Sequence, residues 1–565
     1  MNTSPNITLK TRLDPITSVA RRLGIRPKYL ETYGNFKAKV SLDILKELGH
    51  RRKGKYIVVT GMTPTHLGEG KTVTTIGLSM ALNSTWKKAV ACIRQPSLGP
   101  FFGIKGGGVG GGRSQVLPPD DINLHLTGDI HAVSQAHNLC ASFLDNDLFR
   151  GNRLNVDKDK IYWHRVFDVN DRALRSIRIA LGGGDYGVER DTRFDITAAS
   201  EIMAILALAG SLPDMRKRLG NIVVALTKKG RPVTAEDIKV AGSMAFILKE
   251  AIKPNLVQTI ENTPCFIHTG PFANITHGNS SIIADRIALG LADYVVTEAG
   301  FGADCGLEKF INIKCRTSGL KPDAVVLVVS IRALKAHSGM FKTVVGRPLD
   351  KAFAEESVDA VEAGCANLER QLENSRLYGT PCVVAINRFK TDTPKEIAAV
   401  RRRAFDRGAF DCVVSDLYRC GSKGGAELAG AVTAAAQAKS KFKFLYSLES
   451  PIKEKIETIA RKVYGAKEVH FEKTAEADIA LYKKLGFDKV PICMAKTHLS
   501  LSHDPNLKGA PADFTLPIRE VRPSMGAGFL YALCGKTLTM PSLPAHPAGE
   551  RIDIDSKGRL KYVHR

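Results

Sequence analysis

The stretch that decides the fold is "YIVVTGMTPTHLGEGKTVTTIGLSMALNS", residues 56–84. It opens with a short run rich in β-branched residues, which predicts a buried strand. A loop punctuated by glycine follows, and apolar residues such as Val73, Ile76 and Met80 then recur at helical spacing. A strand, a tight glycine turn and a helix in this order predict the phosphate-binding unit of an α/β protein.

The loop in this stretch departs from the common pattern G-x-x-x-x-G-K-[ST], because Thr65 stands where the first glycine is expected. Gly68 can supply the same backbone freedom closer to the phosphates. The backbone N–H groups of the loop and the positive end of the helix favour an anion. A glycine turn that only caps the helix is the alternative. We predict a nucleotide-binding segment that consists of Thr65, His66, Leu67, Gly68, Glu69, Gly70, Lys71 and Thr72.

Two residues of this segment carry specific chemistry. Lys71 adds a point charge near the β- and γ-phosphates of a bound nucleotide. The hydroxyl of Thr72 is placed to bind the Mg²⁺ that accompanies ATP. The sequence therefore predicts a catalytic role for Lys71 and a metal-binding role for Thr72.

From about residue 55 onwards, strand-sized apolar runs alternate with helical segments. This alternation predicts an α/β fold of the P-loop type, with a mostly parallel sheet and helices on both faces. Further buried strands are predicted at 89–94, 222–227, 293–300, 324–329, 382–387 and 412–416. Helices are predicted at 71–84, 200–210 and 354–379.

The pattern changes after about residue 440, where lysine-rich helices are predicted at 450–465 and 474–486. A tail rich in Pro, Gly and Ser follows at 540–555 and predicts loop and edge structure. A chain of 565 residues exceeds one core, since single cores rarely grow beyond about 250–300 residues. We predict a nucleotide domain and two smaller α/β domains, at residues 1–360, 361–450 and 451–565.

A second group of candidates follows the next predicted strand. Arg94 comes where that strand ends, at the edge where α/β proteins bind ligands, so we expect it at the same site as Lys71. Residues 106–112 include six glycines, which let the backbone approach a ligand closely; a floppy surface loop is the alternative. The next candidates are Asp129, His125, His131 and His137. The histidines are six residues apart and do not share one helix face, so structural roles are favoured over a metal site.

The composition is that of an ordinary globular protein, with 44% hydrophobic and 24% charged residues. Apolar runs are strand-sized, far below the roughly 20 residues that a bilayer requires. The first thirty residues lack the apolar core of a secretory signal, and Asp14 and Glu31 interrupt the basic N-terminal stretch, which disfavours a matrix-targeting peptide. Eleven cysteines without a C-x-x-C pair argue against a zinc site and a disulfide framework. We therefore expect a cytoplasmic protein without a membrane segment.

The formal net charge of +24 calls for an anionic partner or a basic solvated surface. Small polyanionic substrates and nucleic acid are the two kinds of partner that such a charge attracts. No recognition helix, zinc finger or RNA-binding aromatic motif accompanies the charge, so nucleic acid is disfavoured.

Nine motifs, the glycine loop included, occur in order along the chain. They are "TPTHLGEGKT" (63–72), "RQPSLGPFFGIKGGG" (94–108), "NLHLTGDIHAV" (123–133), "FDITAASEIMA" (194–204), "HTGPFANITHGNSS" (268–281), "DYVVTEAGFGADCGLEKF" (293–310), "AINRFKTDT" (385–393), "PICMAKT" (491–497) and "MPSLPAHPA" (540–548). Over essentially its whole length the chain resembles the formate–tetrahydrofolate ligase family, also called 10-formyltetrahydrofolate synthetases.

The resemblance implies that ATP, with Mg²⁺, drives the condensation of formate with tetrahydrofolate through formyl phosphate. It also implies a homo-oligomer, usually a tetramer. Lys71 and Arg94 would neutralise the phosphoryl oxygens during this transfer. Asp129 resembles the family's acid residue and would orient the folate amine or accept its proton. A structural N-cap role for Asp129 is the alternative.

The resemblance further implies that aromatic residues stack on the folate. Phe389 matches the family's phenylalanine on the pterin side, and Tyr418 stands where the family usually has tryptophan. Core packing is the alternative for each ring. Arg113 and Arg419 replace residues that are usually uncharged, and their charges would suit a folate with a polyglutamate tail.

Other positions differ from the usual pattern of the family. His66 stands where proline is common, and Gln95 stands where some members have a glutamate near a monovalent cation, which leaves activation by such a cation open. Three functions are compatible with the sequence. They are ATP-dependent formate ligation, binding of folate or nucleotide without turnover, and a P-loop switch that binds DNA.

Overall fold

The structure is a computed structural model that describes residues 12–49, 54–105, 108–341, 351–556, 558 and 560–562. Its centre is a sheet of 12 strands. These strands are β1 (Leu30–Thr32), β2 (Ala38–Val40), β3 (Lys55–Gly61), β4 (Ala89–Ile93), β5 (Gly110–Gly111), β6 (Ser114–Leu117), β7 (Asn255–Thr259), β8 (Pro264–Ile267), β9 (Tyr294–Glu298), β10 (Ala324–Val329), β11 (Cys382–Asn387) and β12 (Asp411–Ser415).

Seven strands of the large sheet run parallel, in the order β8, β4, β9, β3, β10, β11, β12. β7 pairs antiparallel with β8, and β2 and β1 extend the sheet beyond β7. β6 also pairs with β7, and β5 pairs with β6. β3 is therefore central, between β9 and β10, and a central parallel strand is buried on both faces. This position explains the continuous apolar run that precedes the glycine loop.

Helices cover both faces of the large sheet. The helices of seven residues or more are α1 (Ile16–Leu23), α2 (Lys71–Ser84), α3 (Asp129–Phe149), α4 (Glu201–Leu208), α5 (Leu212–Gly220), α6 (Ala241–Ile247), α7 (Ile282–Leu291), α8 (Ile331–His337), α9 (Val358–Arg376), α10 (Pro394–Asp406), α11 (Ala426–Gln437), α12 (Ile452–Ile459) and α13 (Lys473–Lys484). Shorter α-helices lie at Ile44–Leu48, Leu98–Pro100, Pro119–Asn123, Arg316–Ser318 and Leu417–Cys420. None of the helices in the described part of the chain is long and apolar enough to cross a membrane.

Alternate residues of β3 face opposite sides of the sheet. Ile57 and Val59 pack in an apolar cluster with residues of α2 and α11. Val58 packs in the larger cluster on the other side, which includes Ile283 of α7 and Leu368 of α9. Burying one such side chain contributes about 1.5–3 kcal/mol, so the two clusters hold β3 and its neighbours firmly.

The predicted elements of the large sheet are confirmed, and the helix after the glycine loop spans Lys71–Ser84. The predicted strand at 222–227 is also a buried strand. It lies outside the large sheet, however, because Val223–Thr227 pairs antiparallel with Val156–Ile161 and Pro232–Thr234. Two further small sheets join Ile177–Ile179 to Arg190–Thr192 and Arg165–Phe167 to Phe194–Ile196.

The C-terminal region has its own sheet of four strands. In spatial order these are Glu468–Phe471, Thr515–Ser524, Phe529–Cys534 and Ile492–Ala495. The sheet shares an apolar cluster with α12 and α13, and the tail forms the pair Ile552–Ile554 with Leu560–Tyr562. The division into domains at residues 360 and 450 stays a prediction, since β10 and β11 lie on either side of residue 360 and pair in one sheet.

Candidate active site

The glycine loop between β3 and α2 is held by its own side chains. Gly68 and Gly70 have φ of 76° and 87°, which lie in the left-handed region that favours glycine. The Glu69 carboxylate accepts hydrogen bonds from the Thr65 backbone N–H (2.6 Å) and hydroxyl (3.0 Å). The Thr65 hydroxyl also accepts one from the Leu67 N–H (3.2 Å). The threonine in place of glycine therefore fixes the loop rather than breaking it.

The end of the loop is fixed from β11. Asn387 Nδ2 donates to the Glu69 carbonyl at 2.9 Å. A Cβ atom at Gly70 would lie 2.3 Å from the same Nδ2, so no side chain fits there. The requirement for glycine at this position is therefore both steric and conformational.

Lys71 and Thr72 begin α2 at the carboxyl end of β3. The Lys71 stem passes close to Gly61, where a Cβ atom would lie 3.1 Å from Lys71 Cδ. The Lys71 ammonium is 3.8 Å from Glu69 Oε2, and the Thr72 hydroxyl donates to Glu298 Oε2 at 2.8 Å. Both functional groups of the predicted segment thus lie at the strand ends, and Thr72 contacts an acid on β9.

Glu298 lies between the glycine loop and Arg94. β9 pairs with β3 on one side and with β4 on the other. Arg94 Nε lies 3.6 Å from Glu298 Oε1, and an Arg94 terminal nitrogen donates to the Pro271 carbonyl at 3.0 Å. The structure therefore brings Lys71 and Thr72, Glu298 and Arg94 to the ends of three adjacent parallel strands, β3, β9 and β4, the place where α/β sheets bind ligands.

The donor set at Thr72 and Glu298 suits Mg²⁺, which prefers oxygen ligands and usually binds through one or two protein groups plus substrate phosphates. Among the described residues, no group of three or more His, Cys, Asp or Glu side chains is arranged to hold a metal ion. A metal that arrives with a nucleotide fits this arrangement. His137, one of the three histidines for which a structural role is favoured, stacks on Trp163 with ring centroids 3.9 Å apart.

The residues that enter the loop are held by a buried network. The Thr63 N–H donates to Asn367 Oδ1 (3.0 Å), and its hydroxyl accepts from Asn367 Nδ2 (2.8 Å) and Gln371 Nε2 (2.9 Å). His337 Nε2 donates to the Thr63 carbonyl (2.9 Å), while His337 Nδ1 accepts from the Gly509 N–H (3.2 Å). His337 must be neutral to make both bonds. The network therefore ties the nucleotide loop to the C-terminal region.

His66 lies near the C-terminal region as well. Burial and the nearby Lys508 ammonium lower the pKa of His66.

Gln95 is buried next to Arg94, and its backbone N–H donates to the Thr269 carbonyl at 2.7 Å. Its amide brings no negative charge to this place, and a role for a monovalent cation stays a prediction.

Asp129 is buried at the first turn of α3 and forms an ion pair with Lys39. The Lys39 ammonium lies 2.8 Å from Asp129 Oδ1, and the two side chains are 0% and 3% exposed. Asn255 Nδ2 donates to the other oxygen at 2.7 Å, and the Thr127 hydroxyl donates to Asn255 Oδ1 at 2.6 Å. These contacts fix the Asp129 side chain inside the protein, which is what a structural role requires.

Asp129 is nevertheless close to the strand ends that carry Arg94. Its partner Asn255 is opposite Ile267 on β8, and Ile267 is opposite Ile93 on β4. Two strand spacings separate Asn255 from Ile93, which is about 10 Å. Asp129 thus lies at the same edge of the sheet as Arg94.

Phe389 and Tyr418 line one cavity of about 910 Å³ at the ends of β11 and β12. Phe389 is half-buried and Tyr418 is 42% exposed, so neither ring is a core residue. The volume is within the range of about 300–1,000 Å³ that is common for ligand pockets. The structure brings the two predicted folate-stacking residues together.

The glycine-rich segment before β6 packs against Tyr418. Gly112 has φ of 59°, and a Cβ atom there would lie 2.1 Å from the Tyr418 carbonyl oxygen. The Arg113 N–H donates to this oxygen at 2.8 Å. This end of the segment is therefore a packed support of the cavity and not a floppy loop. Gly106 and Gly107 lie outside the described residues.

Cationic side chains surround the cavity. Arg113 and Arg419 line it, as do the further cations Arg332, Lys351, Arg388 and Lys390, while Asp416 is its one acidic lining residue among the described residues. Arg419 Nε donates to Asp416 at 2.9 Å. The cavity is suited to an anionic ligand with a flat ring.

Comparisons with known proteins establish the family of the chain. The family model of formate–tetrahydrofolate ligases matches residues 2–563. The chain belongs to the formate–tetrahydrofolate ligase family. It is 56% identical over 555 residues to a formate–tetrahydrofolate ligase of Saccharopolyspora erythraea, with 98% of each chain covered. A formate–tetrahydrofolate ligase of Roseiflexus sp. (strain RS-1) is 56% identical over 554 residues, with 98% of each chain covered. One of Desulforamulus reducens is 53% identical over 545 residues, with 96% of each chain covered.

In this member of the family, sequence reasoning missed Glu298 and Asn387. Glu298 is the last residue of β9, which pairs with β3, and Asn387 is the last residue of β11, which pairs with β10. A polar residue at the end of an apolar strand is the signal that could have identified them, because parallel strands end at the ligand edge.

The buried histidines make the stability of this ligase-family protein dependent on pH. Burial lowers the pKa of His337 to about 4, from about 6.5 in an unfolded chain. The unfolded chain therefore binds more protons between these values, and stability is lost as the pH falls from about 6.5 towards 4. Urea unfolding at a series of pH values should show this loss. In His337→Gln, the plot of the free energy of unfolding against pH should have a shallower slope between pH 4 and 6.5.

An exposed histidine supplies the control for this experiment. His470 is exposed on the C-terminal sheet, so His470→Gln should leave the slope unchanged. Equal slopes for the natural protein and His337→Gln would contradict the assignment of a neutral, buried His337. Comparing slopes removes the contribution of carboxyl groups, which is common to all three proteins.

Proposed function

We propose that the protein joins formate to tetrahydrofolate at the expense of ATP, and that the reaction passes through formyl phosphate. The observation that carries the proposal is the placement of Lys71, Glu298 and Arg94 at the ends of adjacent parallel strands, next to the glycine loop. Family membership supports the overall reaction. The roles of the individual residues are our proposal.

In the first step, a formate oxygen attacks the γ-phosphorus of ATP. A bond forms between that oxygen and phosphorus, the bond from phosphorus to the ADP oxygen breaks, and formyl phosphate and ADP result. Two anions must approach each other, so positive charge is the main requirement. Lys71 and Arg94 supply it from two sides of Glu298. Thr72 and Glu298 would hold the Mg²⁺ of ATP, which adds further charge at the phosphoryl oxygens.

In the second step, the N10 amine of the folate attacks the formyl carbon. The carbon–oxygen bond to phosphate breaks, phosphate leaves, and the nitrogen loses a proton. Phe389 and Tyr418 would hold the pterin ring during this attack by stacking on it. Asp129 would orient the amine or accept its proton, provided that Lys39 releases one carboxylate oxygen.

A coupled assay tests the proposed function. Purified protein is given ATP, formate and tetrahydrofolate, and the product is converted with acid to the methenyl form and measured by absorbance. Product that requires all three substrates supports the proposal. Binding of folate and nucleotide without product would favour a family member without turnover, and ATP hydrolysis stimulated by DNA would favour a nucleic-acid switch.

We expect the cations of the cavity to favour folates with a polyglutamate tail. Arg419→Ala should raise the KM for a polyglutamylated folate several-fold and change the KM for the monoglutamate little, since only the longer tail carries extra charge. Arg402→Ala is a matched control. Its side chain is 60% exposed, against 58% for Arg419, and it pairs with Glu362 on another surface. Equal losses for both folates would count against the expectation.

We propose a homotetramer in the cytoplasm. Phe143, Phe149 and Phe246 are large apolar residues exposed on α3 and α6, helices that pack against each other, and they would be covered in an assembly. All eleven cysteines are free, which suits a reducing compartment. A solution mass equal to one chain in sedimentation equilibrium would rule out the tetramer, and recovery from a membrane or secreted fraction would rule out the compartment.

A further inference from the structure

We infer that Arg332 is a positioning residue for the folate ring, and that it acts through Phe389. The inference rests on the proposed function, because it concerns the same cavity. It adds a residue that neither motif nor composition singled out. The observations that carry it are a stacking contact, a guanidinium whose Nε has no hydrogen-bond partner among the described residues, and the position of both residues in the fold.

The first observation is the contact between Arg332 and Phe389. The Arg332 guanidinium carbon lies 3.6 Å from the centroid of the Phe389 ring. Arginine stacked at this distance attracts the electron-rich face of an aromatic ring, and its planar group also covers that face. One face of Phe389 is therefore closed, and only the other face is open to a ligand.

The second observation is that Arg332 Nε makes no hydrogen bond. Among the described residues, this atom is buried and has no hydrogen-bond partner. Burial lowers the pKa of Arg332, while Asp392 and Glu69 raise it. The half-buried guanidinium is therefore supported on one side by its stack on Phe389, and the stack in turn supports the ring.

The third observation is the position of both residues in the fold. Arg332 is in the first turn of α8, directly after β10, and Phe389 follows β11, the next strand of the sheet. The Asp392 carboxylate accepts a hydrogen bond from the Phe389 N–H at 2.8 Å, so the backbone of Phe389 is fixed as well. Arg332 and Asp392 together determine where the ring lies.

These observations define the way in which a flat ring enters the cavity. Arg332 closes one face of Phe389, and Tyr418 lines the same cavity. The pterin ring would therefore bind on the open face, in a stack of Arg332, Phe389, pterin and Tyr418. Stacked rings prefer an offset arrangement at a fixed spacing. The plane of the Phe389 ring therefore sets the plane of the pterin ring, and with it the position of the folate amine relative to the formyl carbon. Arg332 would thus position the amine for its attack.

Two substitutions separate stacking from charge. Arg332→Lys keeps the positive charge and loses the planar group, while Arg332→Gln loses the charge. If Arg332 acts by stacking, both variants should raise the KM for tetrahydrofolate about five- to tenfold. The KM for ATP and for formate should change less than twofold. Rescue by lysine would show instead that charge alone matters and would overturn the inference.

The matched control is Arg316, which stacks on Phe444 at 4.1 Å, far from the cavity along the chain and outside its lining. Arg316→Lys removes a comparable stack and should leave the folate KM unchanged. A rise of the folate KM in this control would mean that loss of any such stack disturbs the protein. Thermal unfolding of all variants checks that they are folded.

A double substitution tests whether Arg332 acts through Phe389. Phe389→Leu removes the ring, so adding Arg332→Lys to it should not raise the folate KM further. Additive losses would overturn the inference, and so would an unchanged KM in Arg332→Lys alone. The comparison of the single and double variants remains valid when a variant is somewhat destabilised, because it uses the folate KM and not the free energy of unfolding.

Failure of the inference differs from failure of the proposed function. If the natural protein makes no formylated folate from ATP, formate and tetrahydrofolate, the proposed function is wrong. If the natural protein is active and the Arg332 variants match it in folate KM, only the inference is wrong.

Discussion

Replacing Lys71 with alanine is expected to lower kcat for formylated folate about a hundred- to a thousand-fold, the effect of removing one charge-stabilising donor from a transition state. Lys71 begins α2 directly after the glycine loop, and its stem is packed close to Gly61. The ammonium is therefore held at the place where the γ-phosphate is expected. The measurement is product formation at saturating concentrations of all three substrates.

Stability should change little in this variant, because the Lys71 side chain is 14% exposed and its ammonium is 3.8 Å from its carboxylate partner. Lys158, an exposed lysine at the edge of a small sheet, supplies the control. Lys158→Ala lowers the net charge by the same amount and should keep full activity. If both variants were equally active, Lys71 would have no part in the phosphoryl transfer.

Replacing Lys39 with methionine is expected to lower the free energy of unfolding by about 3–5 kcal/mol, as is usual when one partner of a buried ion pair is removed. Lys39 and Asp129 are both buried, and the carboxylate would remain without its counterion. Urea unfolding at pH 7 measures the loss. A second variant, Lys39→Met with Asp129→Leu, should recover much of the stability, since no unpaired charge remains.

The double variant also separates the two roles of Asp129. A folded double variant with kcat at least tenfold below that of the natural protein would support a part for Asp129 in the formyl transfer. Activity within threefold of the natural protein would show that the pair only stabilises the fold. An equal loss of stability in the single and the double variant would contradict the ion-pair explanation itself.

The sequence predicted the β3–α2 unit well because its signals are local. A continuous run of strand-forming residues, a glycine turn and helical spacing all lie within residues 56–84. Phe389 and Tyr418 were also recognised, since each lies in a motif of the family. Both residues line one cavity, and their role in folate binding stays a prediction.

The contacts of Glu298 and Lys39 could not be predicted, because they depend on the order of strands in the sheet. β9 lies between β3 and β4 although more than 200 residues separate it from both along the chain. Glu298 therefore reaches Thr72 and Arg94 only in the folded sheet. Lys39 reaches Asp129 in the same way, across a sequence separation of 90.

Tracing an oxygen atom from formate tests the central claim, the activation of formate as a mixed anhydride with phosphate, most directly. Formate labelled with ¹⁸O is given to the protein with ATP and tetrahydrofolate, and the inorganic phosphate is analysed by mass spectrometry. The account predicts one ¹⁸O atom in the phosphate for each formyl group transferred, because a formate oxygen becomes the bridging oxygen of formyl phosphate. Phosphate without ¹⁸O, formed at the same rate as the formylated folate, would contradict it.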